Sequence, residues 1–205
     1  LLKIKNGYSM SADGVCFDFV DDRVPEVREG MYRLTVEGKV PVPQILAGDR
    51  LLLPVDEGIA ITADKQYASG EANCDRIGDS FCTRNGTMSM VVIRRAGKYL
   101  LIALESGLYS EYLAERKDGL YGLEITCHRT CEVTYGVFDT LPAACKCYRE
   151  IKGISPVPLA EKLRANPEIE KLIGGAMFWV WNDNYDEVMY ADHDTDVCPE
   201  VGDTL

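Results

Sequence analysis

Three groups of residues in this 205-residue chain have types and spacings that could do chemistry. Glu124 and His128 stand four apart in a stretch that alternates apolar and polar residues, so both fall on one face of a strand. A carboxylate and an imidazole sharing a face could act as an acid–base pair on a sugar ring oxygen, a task for groups that titrate near neutrality. On the wet face of a strand a histidine is otherwise simply solvated. Asp192-His193-Asp194-Thr195-Asp196 carries carboxylates at alternate positions, with Glu200 and Asp203 following, a pattern that could converge on a hard cation. Val197 occupies the place where the sharp turn of a calcium loop needs Gly, so a solvated acidic loop is expected there. The third group is the eight cysteines: Cys16, Cys74, Cys82, Cys127, Cys131, Cys145, Cys147 and Cys198. Cys127-x3-Cys131 fits the spacing of a zinc pair, whereas Cys145-x-Cys147 is too tight. With 46% hydrophobic residues the chain can build a core without staples, so reduced, buried thiols are expected, and neither a metal nor a cofactor.

Composition narrows the partners. Thirty-three acidic against 22 basic residues leave a net charge of −11, and the pI is near 4.7. Nucleic acid is therefore not an expected partner, because phosphate binding needs a basic surface. No run approaches the ~18 apolar residues that would span a bilayer, so no membrane is expected either. Leu1 stands where an initiator Met would, and both ends read as cuts within a longer protein.

The elements that position these residues are mostly strands. Lys5-Asn6-Gly7, Ala12-Asp13-Gly14, Ala96-Gly97 and Lys117-Asp118-Gly119 are hairpin turn signals. Tyr32, Leu34 and Val36 alternate with Arg33, Thr35 and Glu37, the pattern of a strand with one wet face. Leu123, Ile125 and Cys127 continue into Cys131, Val133, Tyr135 and Val137 with the same period. Pro41 and Pro43 predict an edge or an extended connection, and the polar, Gly-rich residues 63–86 predict a long loop. Many short strands with regular turns indicate a β-sandwich or barrel up to about residue 138. Beyond Pro142 the register becomes helical: Ala143 to Lys152 ends at Gly153, and Leu159 and Leu163 are followed by an Asn166-Pro167 helix start. Ala176 to Trp181 is a continuous apolar run, as in a strand buried on both faces of a parallel sheet.

Cys147-Tyr148-Arg149-Glu150, Leu159-Ala160-Glu161-Lys162-Leu163, Asn166 to Gly174 and Phe178-Trp179-Val180-Trp181 follow one another closely. This succession resembles the junction between sandwich and catalytic barrel in glycoside hydrolases of the endo-α-N-acetylgalactosaminidase and α-N-acetylgalactosaminidase group. Leu51-Leu52-Leu53-Pro54 with Glu57-Gly58 resembles a segment of their sandwich. The resemblance implies a mainly β chain: an antiparallel β-sandwich of the galactose-mutarotase-like supersandwich type over 1–140, a helical linker over 141–175, and the first strand of a truncated (β/α) barrel over 176–205. A full barrel takes ~250 residues, and 30 follow Gly175. The catalytic carboxylates are therefore expected outside this chain, and no residue of it is expected to be catalytic. Trp181, Asn182 and Asp183 would stand at the C-terminal end of the first barrel strand, where a ring can stack on a sugar and the polar groups bond its hydroxyls.

The expected function is the non-catalytic sandwich portion of a carbohydrate-active enzyme, whose parent hydrolyses α-linked N-acetylgalactosamine or galactose. Its partners would be carbohydrate, met through the parent enzyme, and the missing catalytic barrel. A soluble bacterial protein of the cytoplasm or cell exterior is expected. The alternative is a stand-alone epimerase of the mutarotase type or a sugar-binding sandwich, using Glu124, His128 and the tyrosines Tyr109, Tyr112 and Tyr121.

Overall fold

Strand periodicity dominates the computed structural model, which describes residues 1–54, 58–67, 80–84, 88–106, 110–154 and 157–168, with only the backbone at 80–84 and 159. The chain divides into two compact units, Leu1–Ser155 and Pro156–Leu205. In the first unit, β1 (Leu2–Ile4), β2 (Gly7–Ala12) and β3 (Val15–Phe19) form a three-stranded antiparallel sheet in that order. Nine further strands form the larger sheet: β4 (Glu26–Arg28), β5 (Met31–Lys39), β6 (Arg50–Leu53), β7 (Ile59–Thr62), β8 (Ser80–Arg84), β9 (Met90–Arg95), β10 (Lys98–Leu104), β11 (Ser110–Lys117) and β12 (Leu120–Phe138). Its order is β4-β5-β12-β10-β9-β6-β7, with β11 beside the first half of β12 and β8 beside β11.

The expected antiparallel sandwich is what forms. Tyr8 and Met10 of β2 lie opposite Phe19 and Phe17 of β3, so all four side chains share one face of the small sheet. That face closes on Val36, Leu51, Ile93, Leu100, Ile102, Val133 and Tyr135 of the large sheet. Tyr8 stacks on Phe19 at 4.7 Å between ring centroids, and Phe19 meets Tyr135 edge-on at 5.6 Å. Burying such rings is the main favourable contribution, at ~25 cal/mol per Å² of apolar area.

Turn chemistry sets the hairpins where expected. Asp13-Gly14, Ala96-Gly97 and Asp118-Gly119 all take positive φ, the conformation whose twist matches antiparallel strands. Gly7 is required for a different reason: a Cβ there would lie 1.9 Å from the Phe19 carbonyl oxygen. Glu29-Gly30, not flagged by the sequence patterns, makes a further positive-φ turn between β4 and β5. Pro41 and Pro43 fall in the extended connection after β5. The long loop expected over 63–86 is corrected in part. Ser80–Arg84 is a strand, held by its ladder to β11, so pairing overrides the polar, glycine-rich local composition.

Helix α1 (Leu141–Ile151) starts with Pro142 in its first turn. The Thr140 hydroxyl accepts a hydrogen bond from the Ala143 N–H at 3.3 Å, satisfying one of the free helix donors. Gly153, at φ 62°, follows the helix end. Ala144 and Tyr148 of α1 cover Val92, Leu101 and Ala103 on the outer face of the large sheet. Strands β9 and β10 are thus buried on both faces, which explains the unbroken apolar run Leu100 to Leu104. In the second unit, α2 spans Leu159–Ala165. After it the Asn166 side chain accepts from the Glu168 N–H at 3.2 Å, a helix-start contact. The apolar run 176–181 and the acidic segment 192–203 lie outside the described residues.

Candidate functional site

Antiparallel register places Leu113 opposite Glu124 and Glu115 opposite Gly122, so these residues share the outward face of β11 and β12. The inward face takes Tyr112, Ala114, Tyr121 and Ile125, which are fully buried. Residues 43–45 of the connection after β5 and residues from both faces of β11 and β12 line a groove of about 390 Å³. Ile45, Leu113 and Leu123 supply its apolar lining, Ile45 and Leu123 also packing against the sandwich core, and Gly122 adds no side chain. Glu115, Lys117 and Glu124 supply the polar edge.

The charges of the edge are paired. Lys39 Nζ stands 2.6 Å from Glu124 Oε2, and Lys117 Nζ stands 2.7 Å from Glu115 Oε2. The hydrogen-bonded Glu115 carboxylate holds the Lys117 ammonium above its usual range. An apolar lining with a few polar groups is the general make-up of a small-molecule pocket. Among the described residues no three His, Cys, Asp or Glu side chains gather as a metal site.

The acid–base pair that the alternative reading would make of Glu124 and His128 does not form. Glu124 is engaged by Lys39, while His128 Nε2 lies 3.3 Å from Glu111 Oε2. Four residues of extended chain separate them by about 13 Å, too far to serve one ring oxygen. Tyr112 and Tyr121, expected as loop aromatics, are core residues with 0% exposure. The Tyr112 hydroxyl lies 3.3 Å from Ser110 Oγ, and burial pushes its phenol up to about 12. Tyr109, the sugar-contacting candidates Trp181, Asn182 and Asp183, and the Asp192–Asp196 loop all lie outside the described residues. Cys16, Cys127, Cys131, Cys145 and Cys147 are free thiols. The groove residues Leu113 and Glu115 were not singled out by motif. Only the alternation of β11 marks them as outward-facing.

Among the described residues no helix is long and apolar enough to cross a membrane. No protein-family model matches the chain. No curated protein matches it either. Solved structures do. The ligand-free α-N-acetylgalactosaminidase NagBb from Bifidobacterium bifidum is similar over 82% of this chain and 40% of its own, with a TM-score of 0.55 and 15% identity. A quadruple mutant of that enzyme is similar over 83% of this chain and 33% of its own, with a TM-score of 0.51 and 17% identity. The chain therefore spans two-fifths or less of the length of the enzyme structures it resembles. What is shared at such identities is the fold.

Proposed function

We propose that this chain is the non-catalytic β-sandwich portion of a carbohydrate-active enzyme, the parent being a glycosidase for α-linked N-acetylgalactosamine or galactose. The observation that supports it is the shared fold: 82% of the chain follows an α-N-acetylgalactosaminidase while spanning 40% of that protein. The junction residues Cys147 to Glu150, Leu159 to Leu163 and Asn166 to Gly174 agree with this in chain order. In this proposal 1–140 is the sandwich, 141–175 the connection and 176–205 the beginning of a (β/α) barrel. Trp181 stacks on the sugar, Asn182 and Asp183 bond its hydroxyls, and the catalytic carboxylates stand on later barrel strands.

Hydrolysis of nitrophenyl α-N-acetylgalactosaminide and α-galactoside tests it. The 205-residue chain is expected to give no turnover above buffer, and a chain extended through a barrel to hydrolyse one of the two. In that longer protein Trp181→Ala is expected to lower kcat/KM about tenfold, the equivalent of losing roughly 1.4 kcal/mol of stacking. Robust hydrolysis by the 205-residue chain would overturn the proposal.

A further inference from the structure

Strand β12 changes partner half-way along. Its first half ends on β11 where Cys127 faces Ser110, and its second half begins on β10 where Val133 faces Leu104. On its other edge Cys127 pairs with Gly38 and Cys131 with Val36, so Glu37 alone faces His128, Arg129 and Thr130. Two extra residues preserve the side-chain alternation, where one would invert it. Both cysteines therefore enter the same core face at neighbouring inward positions. Neighbouring inward positions lie about 6.7 Å apart along a strand, inside the ~4.4–6.8 Å that a disulfide spans between Cα atoms.

The two thiols lie close enough for each to shift the other's ionisation. Both residues are buried, with 3% and 6% exposure. Cys131 Sγ also lies 3.4 Å from the Glu132 carbonyl oxygen and 3.9 Å from that of Ser106. Lys152 reaches the same corner from the end of α1, donating to the carbonyls of Leu104 and Glu105. Cys145 and Cys147, by contrast, are two apart on a helix and project from different sides.

We propose that Cys127 and Cys131 form a two-cysteine redox site that hydrogen peroxide closes to an intrachain disulfide. Contact with the Cys127 thiol lowers the pKa of the Cys131 thiol, and the same contact and burial push the Cys127 thiol up, so Cys131 is the nucleophile. The Cys131 thiolate attacks one peroxide oxygen and breaks the O–O bond, leaving a sulfenic acid and a hydroxide that takes up a proton as water. The Cys127 sulfur then displaces the sulfenic hydroxyl, and its own proton leaves with that group as a second water. Two thiols and one peroxide give one disulfide and two waters, the sulfurs oxidised and the peroxide oxygens reduced. The new bond staples β12 where it leaves β11 for β10.

Arg129 makes the test direct, because trypsin cuts the backbone between the two cysteines. The 205-residue chain is treated with peroxide, its remaining thiols are alkylated, and it is digested without reductant. Peptides 118–129 and 130–146 are expected to stay joined, and to separate on reduction. Peptide 130–146 also contains Cys145, so the joined pair must persist in Cys145→Ser and vanish in Cys131→Ser. If Cys131→Ser does not fold, fragmentation of the joined wild-type peptides locates the bond. Separate peptides with Cys127 and Cys131 both alkylated, or Cys127 joined to any other cysteine, would overturn the proposal.

Discussion

Gly7 and Gly14 separate two reasons for glycine in a hairpin. At Gly7 a side chain would collide with the Phe19 carbonyl at 1.9 Å, and φ is +154°. At Gly14 φ is +79°, with nothing within 4 Å of a Cβ. Gly14→Ala is expected to cost about 1 kcal/mol, the penalty of a left-handed backbone. Gly7→Ala is expected to cost at least ~2 kcal/mol, because backbone must move as well. Urea unfolding of both variants checks the order, and equal losses would mean that the small sheet accommodates the methyl.

Between elements, Arg95 at the end of β9 is a three-way tie. Its Nη2 lies 2.5 Å from Asp49 Oδ2, Nη1 donates to the Cys16 carbonyl of the small sheet at 2.6 Å, and Nη2 donates to the Gln44 carbonyl at 2.7 Å. The guanidinium also sits 4.9 Å from the centre of the Phe17 ring. Asp49 is 2% exposed and also accepts the Leu46 N–H. Arg95→Met would strand that carboxylate in the interior, at a cost of about 3–5 kcal/mol. Adding Asp49→Asn should recover part of the loss, since the uncompensated charge is removed. Chemical denaturation of the single and double variants measures the recovery, and no recovery would show that the loss comes from the carbonyl contacts instead.

Across the whole molecule, alkaline pH tests the sandwich core. Burial pushes Tyr112 up to about 12, and Tyr8 and Tyr135 further still. In the unfolded chain these phenols ionise near 10. A folded-state value above the unfolded one stabilises fully below pH ~10, and that stability is lost as pH rises from 10 towards 12 and beyond. Tyrosinate absorbance should therefore appear in two stages. Exposed phenols titrate first, and the buried ones follow in step with loss of far-ultraviolet circular dichroism. Smooth ionisation of all tyrosines near pH 10 with the sheet signal intact would contradict the core described.

The alternation of Tyr32 to Val36 and of Leu123 to Val137, and the turn pairs Asp13-Gly14, Ala96-Gly97 and Asp118-Gly119, were legible in the sequence. So was α1, from Pro142 to Gly153. These depend on residues within a few positions of one another, where backbone sterics and side-chain period act alone. Strand β8 was not legible, because only its ladder to β11 makes a strand of it. The bulge in β12 was hidden, because two extra residues leave the alternation unchanged. Glu124 and His128 share a face by parity, yet their partners, Lys39 and Glu111, come from other strands. Tyr112 and Tyr121 looked available for a ligand until the small sheet and the large one closed over them. The local code set the strands, the turns and the first helix. Which strand lies beside which, and therefore which side chains meet, was decided by long-range burial that no single window of sequence contains.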